Sequence, residues 1–199
     1  MTTVPPSPAI ASRPRHAPLV PRPCGAALMV ADQAGAAALL TLAGAAPGIM
    51  SRTTVLLCAA GGMAGAIRAQ NPARLVQIAS TAELPAALDA ALRDARMGLH
   101  MFLAGSEGLI GQARAIAMAA GLPAGAIQSE HRGTMARRMQ CVHCKTIAEE
   151  VATDPYDCPG CGRALFVRDH FSRRIGAFQG VCVDAETPGE RPRPVEIRA

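Results

Sequence analysis

The sequence predicts an α/β protein: a doubly wound parallel sheet followed by a small Cys₄ zinc-ribbon-like domain. Three observations carry this. Short apolar strands alternate with helical segments between residues 24 and 133, as expected of βαβ units. Two Cys-x-x-Cys turns, thirteen residues apart, follow at 141–144 and 158–161. Of five aromatic residues, Tyr156, Phe166, Phe171 and Phe178 lie after residue 150, so the earlier part must pack with small and aliphatic side chains, which suits helix-on-sheet layers. These changes divide the chain into an extended or disordered arm (1–23), an α/β domain (24–133) and a Cys₄ domain with a C-terminal extension (134–199).

The arm is rich in proline and arginine and lacks hydrophobic periodicity, so it orders only against something else. Residues 25–31 (GAALMVA) read as a strand and 33–44 as an Ala-rich helix stopped by Gly44 and Pro47. Residues 53–59 (TTVLLCA) are apolar without alternation, the pattern of a strand buried on both faces. A glycine-containing turn (60–65) leads into a short helix through Ala69. Residues 74–79 are the next strand, and Thr81 is placed to cap a helix running to about Met97. Residues 99–103 form a strand, Ser106 caps a helix through Ala120, and Gly121 and Pro123 end it. Residues 126–129 are a last short strand, and 165–167 a ribbon strand in the C-terminal part.

Net charge is +5 and arginine supplies nineteen of the twenty basic residues. Arginine binds carboxylates and phosphates in a bidentate manner. Between Arg132 and Arg174 eight basic residues face five acids, which favours an acidic partner surface or a nucleotide over a polyanion tract; a solvated basic face is the plainer reading. Residues 1–23 lack the apolar core of a signal peptide, and the apolar run at 26–46 is broken by Asp32, Gly35 and Gly44. With Cys24, Cys58 and Cys182 as further thiols, a reducing cytoplasm is the expected compartment.

Cys141, Cys144, Cys158 and Cys161 carry the strongest chemical signal. Each pair puts two thiolates on one tight turn, and four thiolates in a tetrahedron suit Zn²⁺. The same set suits a single iron. Zinc is favoured, because only Tyr156 and Phe166 lie near the motif and the knuckles are close in sequence. Plant-type [2Fe–2S] spacing is absent. Two unrelated cysteine pairs are the alternative. His143 and His170 read as structural, since four cysteines complete the shell.

The residues VLLCAAGGM (55–63), with HMFLAGS (100–106) and the following GLP (121–123) and IQSE (127–130), resemble the nucleotide-binding half of ferredoxin–NADP⁺ reductase modules. The resemblance implies cofactor contacts at Gly61, Gly62, Gly65 and Gly105. Ala64 and Ile67 depart from the loop pattern, Ala104 replaces the cysteine beside the nicotinamide, and Ser106 replaces a proline. These departures imply a scaffold that docks onto other subunits and does not itself reduce a flavin.

The Cys₄ knuckles together with ALFVRDHFSRRIGAF (164–178) and GVCVDAE (180–186) are similar to the C-terminal region of the DmmA-type subunit of dimethylamine monooxygenase. The resemblance implies a multi-subunit complex that oxidatively demethylates a secondary amine with NADPH and O₂. Its partners would be a haem subunit and a flavin/iron–sulfur reductase-like subunit, with haem, FMN and iron–sulfur clusters on those chains. This chain would be an accessory, non-catalytic subunit. Arg168, His170, Arg173 and Arg174 would meet a partner or an acidic cofactor group; an Arg–Asp network tying the ribbon to the α/β part is the plainer reading. Two competing functions remain at this level: an electron carrier with an Fe(Cys)₄ centre, and a zinc-ribbon nucleic-acid-binding protein. The scarcity of stacking aromatics argues against the second.

Overall fold

The structure, a computed structural model, describes residues 12–58 and 62–197. Strands β1 (Ala26–Asp32), β2 (Thr53–Cys58), β3 (Arg74–Ile78), β4 (Leu99–Gly105) and β5 (Ile127–His131) form a five-stranded sheet in the order β3-β2-β1-β4-β5. All four pairings are parallel. Between the strands run α1 (Ala36–Ala45), α2 (Met63–Arg68), α3 (Leu84–Arg93) and α4 (Glu107–Ala119).

Side chains alternate across a strand, and the two faces of the sheet build two cores. Ala27, Met29 and Ala31 pack with Leu39 and Leu42 of α1 and Ile67 of α2. Leu28 and Val30 pack with Leu84 and Leu88 of α3 and Leu109, Ala113 and Ala117 of α4. Helices therefore cover both faces, which is why β1, β2 and β4 read as continuous apolar runs. Phe102 is the aromatic at the centre and is fully buried. Among the described residues no helix is long and apolar enough to cross a membrane.

Some expected boundaries differ. α3 stops at Arg93 rather than near Met97, and Thr81 begins a 3₁₀ turn instead of capping a helix. Pro85 in the first turn starts α3 proper. Ser106 does cap α4, its hydroxyl accepting from the Leu109 N–H. Ala59, the end of the second expected strand, lies outside the described residues, as do residues 1–11 of the arm.

Residues 12–23 form no helix or strand but lie on this chain's own sheet edge. The Ala17 N–H donates to Ser129 O, the Leu19 N–H to Glu130 Oε2 at 2.8 Å, and the Gln128 amide both accepts from and donates to the Val20 backbone at 3.0 Å. Leu19 is buried in the first core. This segment covers the open hydrogen-bonding edge of β5.

A second sheet follows. It contains β6 (Arg137–Cys141), β7 (Ile147–Val151), β9 (Tyr156–Asp157), β10 (Ala164–Ser172) and β11 (Ala177–Cys182), in the order β7-β6-β11-β10-β9. β6 and β11 pair in parallel and the other neighbours antiparallel. β8 (Thr153–Asp154) and β12 (Val195–Glu196) form a two-stranded ribbon. β10 is far longer than the ribbon strand expected at 165–167.

The two sheets meet at a close backbone contact. Gly176, in the β10–β11 turn, has φ +63°, and a Cβ there would lie 2.2 Å from the carbonyl oxygen of Gly111 in α4. A Cβ on Gly111 would lie 2.6 Å from Gly176 O. Only glycine at both positions lets the turn rest on the helix.

Candidate metal centre

Cys141 ends β6, and Cys158 follows β9 directly. The two Cys-x-x-Cys turns share one backbone pattern. In the first, the Lys145 N–H donates to Cys141 O, and the Cys141 N–H donates to Thr146 O, both at 2.9 Å. In the second, the Gly162 N–H donates to Cys158 O, and the Cys158 N–H to Arg163 O, again at 2.9 Å. The residue after the second cysteine is left-handed in each, with φ 65° at Lys145 and 71° at Gly162.

The folded chain brings the four sulfurs within 4.8 Å of one another. Cys141 Sγ lies 3.9 Å from Cys161 Sγ, and Cys144 Sγ 3.5 Å from Cys158 Sγ. An ion bound tetrahedrally at ~2.3 Å holds its sulfurs ~3.8 Å apart, so the donor set fits one thiolate-bound ion. Cys141 and Cys158 are buried, and Cys144 and Cys161 half-buried. Among the described residues no other cluster of three or more His, Cys, Asp or Glu side chains could hold a metal ion.

The thiols differ in acidity. The Thr146 hydroxyl, 3.2 Å from Cys144 Sγ, and the Thr146 N–H favour the Cys144 thiolate and bring its pKa down to about 6. Burial pushes the Cys158 thiol up to about 11. A cation shared by all four would favour every thiolate at once.

His143 is exposed, its Nδ1 3.1 Å from an Arg163 nitrogen, and stays outside the sulfur cluster. Cys182 also stays outside: its Sγ donates to Asp184 Oδ1 at 2.8 Å, which raises the thiol and lowers the carboxyl.

The basic positions Arg168, His170, Arg173 and Arg174 are exposed on β10 and the turn after it. Among the described residues none of them forms an ion pair. The arginine that builds an Arg–Asp network is Arg137. It is buried, bonds Asp169 Oδ1 at 2.5 Å and Val167 O at 3.3 Å, and sits 4.4 Å from the Phe178 ring centroid. Its place in a strand pairing with β7 and β11 was not visible in a charged run such as RRMQC.

The glycines expected to contact a nucleotide belong to two separate segments, one after β2 and one at the end of β4. Gly61 lies outside the described residues. Gly62 and Gly65 follow β2, while Gly105 ends β4, on the other side of β1. The crevice where strand order reverses lies at the ends of β1 and β4. There Asp32 Oδ2 accepts from the Ser106 N–H at 2.7 Å, and Oδ1 from the Gly35 N–H at 2.9 Å. A Cβ on Gly105 would lie 2.5 Å from this carboxylate. The chain's own Asp32 thus takes one N–H at the start of α1 (Gly35) and one at the start of α4 (Ser106), groups that a phosphate would use at a helix start. Reading the sequence for glycines missed Asp32, although an acid directly after an apolar strand was the available signal.

The family model for "Dimethylamine monooxygenase subunit DmmA-like, N-terminal domain" matches residues 8–127, and the corresponding C-terminal domain model matches 138–181. The "Heme-dependent oxidative N-demethylase delta subunit" of Ectopseudomonas mendocina (strain ymp) is 42% identical over 117 residues. That match spans 58% of this chain and 66% of the relative, just under two thirds. No solved structure matches the chain.

Proposed function

Because the chain belongs to the DmmA-like family of dimethylamine monooxygenase subunits, we propose that it is an accessory subunit of a multi-subunit amine monooxygenase. That complex removes a methyl group oxidatively from a secondary amine such as dimethylamine, using NADPH and O₂. The haem, FMN and iron–sulfur centres sit on a haem subunit and a reductase-like subunit, and this chain holds those partners in register. The observation that carries the reading is the two-part family match, one part on each sheet, with the second part spanning all four clustered cysteines.

Cys141, Cys144, Cys158 and Cys161 hold one Zn²⁺, which closes the small core of the second sheet. The exposed Arg168, His170, Arg173 and Arg174 face a partner subunit. The parallel sheet serves as a scaffold rather than a nucleotide site: the Asp32 contacts at its switch point support this. A cytoplasmic complex fits free thiolates and NADPH.

Co-expression with the neighbouring subunits, followed by metal analysis and a visible spectrum of each chain, tests the proposal. A stable complex, about one zinc in this chain and no visible absorbance from it alone is the expected result. A chain that never associates would sink the subunit reading. Iron with thiolate charge-transfer bands would move the four cysteines into the electron path.

A further inference from the structure

α4 turns one face away from the parallel sheet toward the N-terminal segment and the end of β10. Residues 107, 111, 114 and 118 lie along that face at helical spacing, bordered by Ile110 of the sheet core. With the N-terminal segment and the turn after β10 they enclose a cavity of about 360 Å³.

Four arginines line it: Arg13 and Arg15 from the N-terminal segment, Arg114 from α4 and Arg173 from the turn. Among the described residues none of the four has an ion-pair partner. The carboxylate on the wall, Glu107, is already held by His16 Nε2 at 2.6 Å, and His16 Nδ1 lies 3.0 Å from Ser129 Oγ. That pair fixes the N-terminal segment against α4 and leaves the guanidinium groups without an anion. Burial, and then the charge of Arg173, push Arg114 below its ordinary pKa. Between the arginines the wall is apolar, with Ile110, Met118 and Phe171.

We propose that this cavity binds an organic phosphate, a phosphomonoester whose anionic end meets the arginines and whose body rests on Phe171 and its apolar neighbours. Four arginines from three separate segments line one concavity, and Arg114 and Arg173 are close enough to repel. Such a lining suits a phosphate, which carries about two negative charges and several acceptor oxygens. A single carboxylate of a docking protein would leave most of the positive charge unmatched. The volume is at the small end for ligand sites, which suits a mononucleotide-sized molecule. The cavity lining includes none of Asp32, Gly35, Ser106 or the four clustered cysteines, and Arg173 is the one residue it shares with the surface proposed to face a partner subunit.

AMP is the probe, with adenosine as the uncharged control, titrated calorimetrically into the full-length zinc-loaded chain. Saturable one-to-one binding of AMP with none of adenosine is expected. Arg173→Gln and Arg114→Gln should each weaken it roughly tenfold or more, the loss expected for a charged hydrogen bond. Arg173 is exposed, so R173Q keeps the fold and decides the matter should R114Q misfold. No saturable AMP binding, equal binding of adenosine, or binding indifferent to both variants overturns the proposal. So does an R173Q chain that fails only to assemble with partner subunits while wild type ignores AMP, because the arginines then serve a protein.

Discussion

Lys145 adopts the backbone conformation that Gly162 adopts at the matching place in the second knuckle, φ 65° against 71°. A left-handed non-glycine residue costs about 1–2 kcal/mol. Glycine offsets part of that through its greater unfolded-state freedom, and the Lys145 Nζ contact with Val142 O is exposed and of small worth. Lys145→Gly should therefore stabilise the zinc-loaded chain by about 0.5 kcal/mol, read from the urea midpoint. Acidity at the same cluster gives a second expectation. Cys144 sits at about 6 and Cys158 at about 11 in the metal-free fold. At pH 7 zinc must displace the Cys158 proton, whereas Cys144 is already a thiolate. Below about pH 6 Cys144 also carries a proton, so affinity should fall by roughly a further tenfold per pH unit. Thr146→Val removes the hydroxyl that favours the thiolate, so this onset should move to higher pH. Zinc titrations between pH 5 and pH 8, in buffers of different ionisation enthalpy, count the protons directly. An unchanged count across pH 6 would contradict the assignment.

At the scale of elements, the parallel sheet was legible and the second sheet was not. Strands such as TTVLLC are buried on both faces, so an apolar run between turn residues identifies them without knowledge of their partners. The strands of the second sheet bury one face and carry charge on the other, as in RRMQC, IAEEV and ALFVRDHFS. Register shifts between Val167 and Phe171 and between Arg137 and Met139 break the alternation that would have revealed them. The parallel pairing of β6 with β11 joins segments distant in sequence, which local pattern cannot show. The same holds for His16 with Glu107, 91 residues apart. The four cysteines were legible because spacing alone specifies a turn and its donors. The contact between Gly111 and Gly176 was not, since neither glycine sits in a motif. Gly176→Ala would place a methyl 2.2 Å from a backbone oxygen at a left-handed position. It should cost about 2 kcal/mol or more, measured by urea unfolding. Gly121→Ala, also left-handed but with open space around its Cβ, should cost less because only the backbone strain remains.

Across the whole molecule the two sheets differ in how much they can sustain alone. The parallel sheet has a core on each face, with Phe102 and a series of Leu, Ile, Val and Met side chains fully enclosed. The second sheet relies on a small cluster in which Cys141 and Cys158 are themselves buried members beside Met139, Ala148, Val151, Leu165 and Val167. Without a shared cation those two sulfurs are a poor substitute for aliphatic packing, and the knuckles lose the bond that closes them. A core this small gains its stability from the ion, so metal removal should act unevenly. Chelation should lower amide-exchange protection in β6, β10 and β11 far more than in β1, β2 and β4, and re-added Zn²⁺ should restore it. The linkage through Gly111 and Gly176 sets the limit of that independence: α4 packs its other face on the parallel sheet. If chelation instead released protection throughout, the backbone contact on α4 would be strong enough to make the chain one cooperative unit. Gly176→Ala would then be expected to restore the separation by loosening that contact, leaving β1, β2 and β4 protected in the metal-free variant.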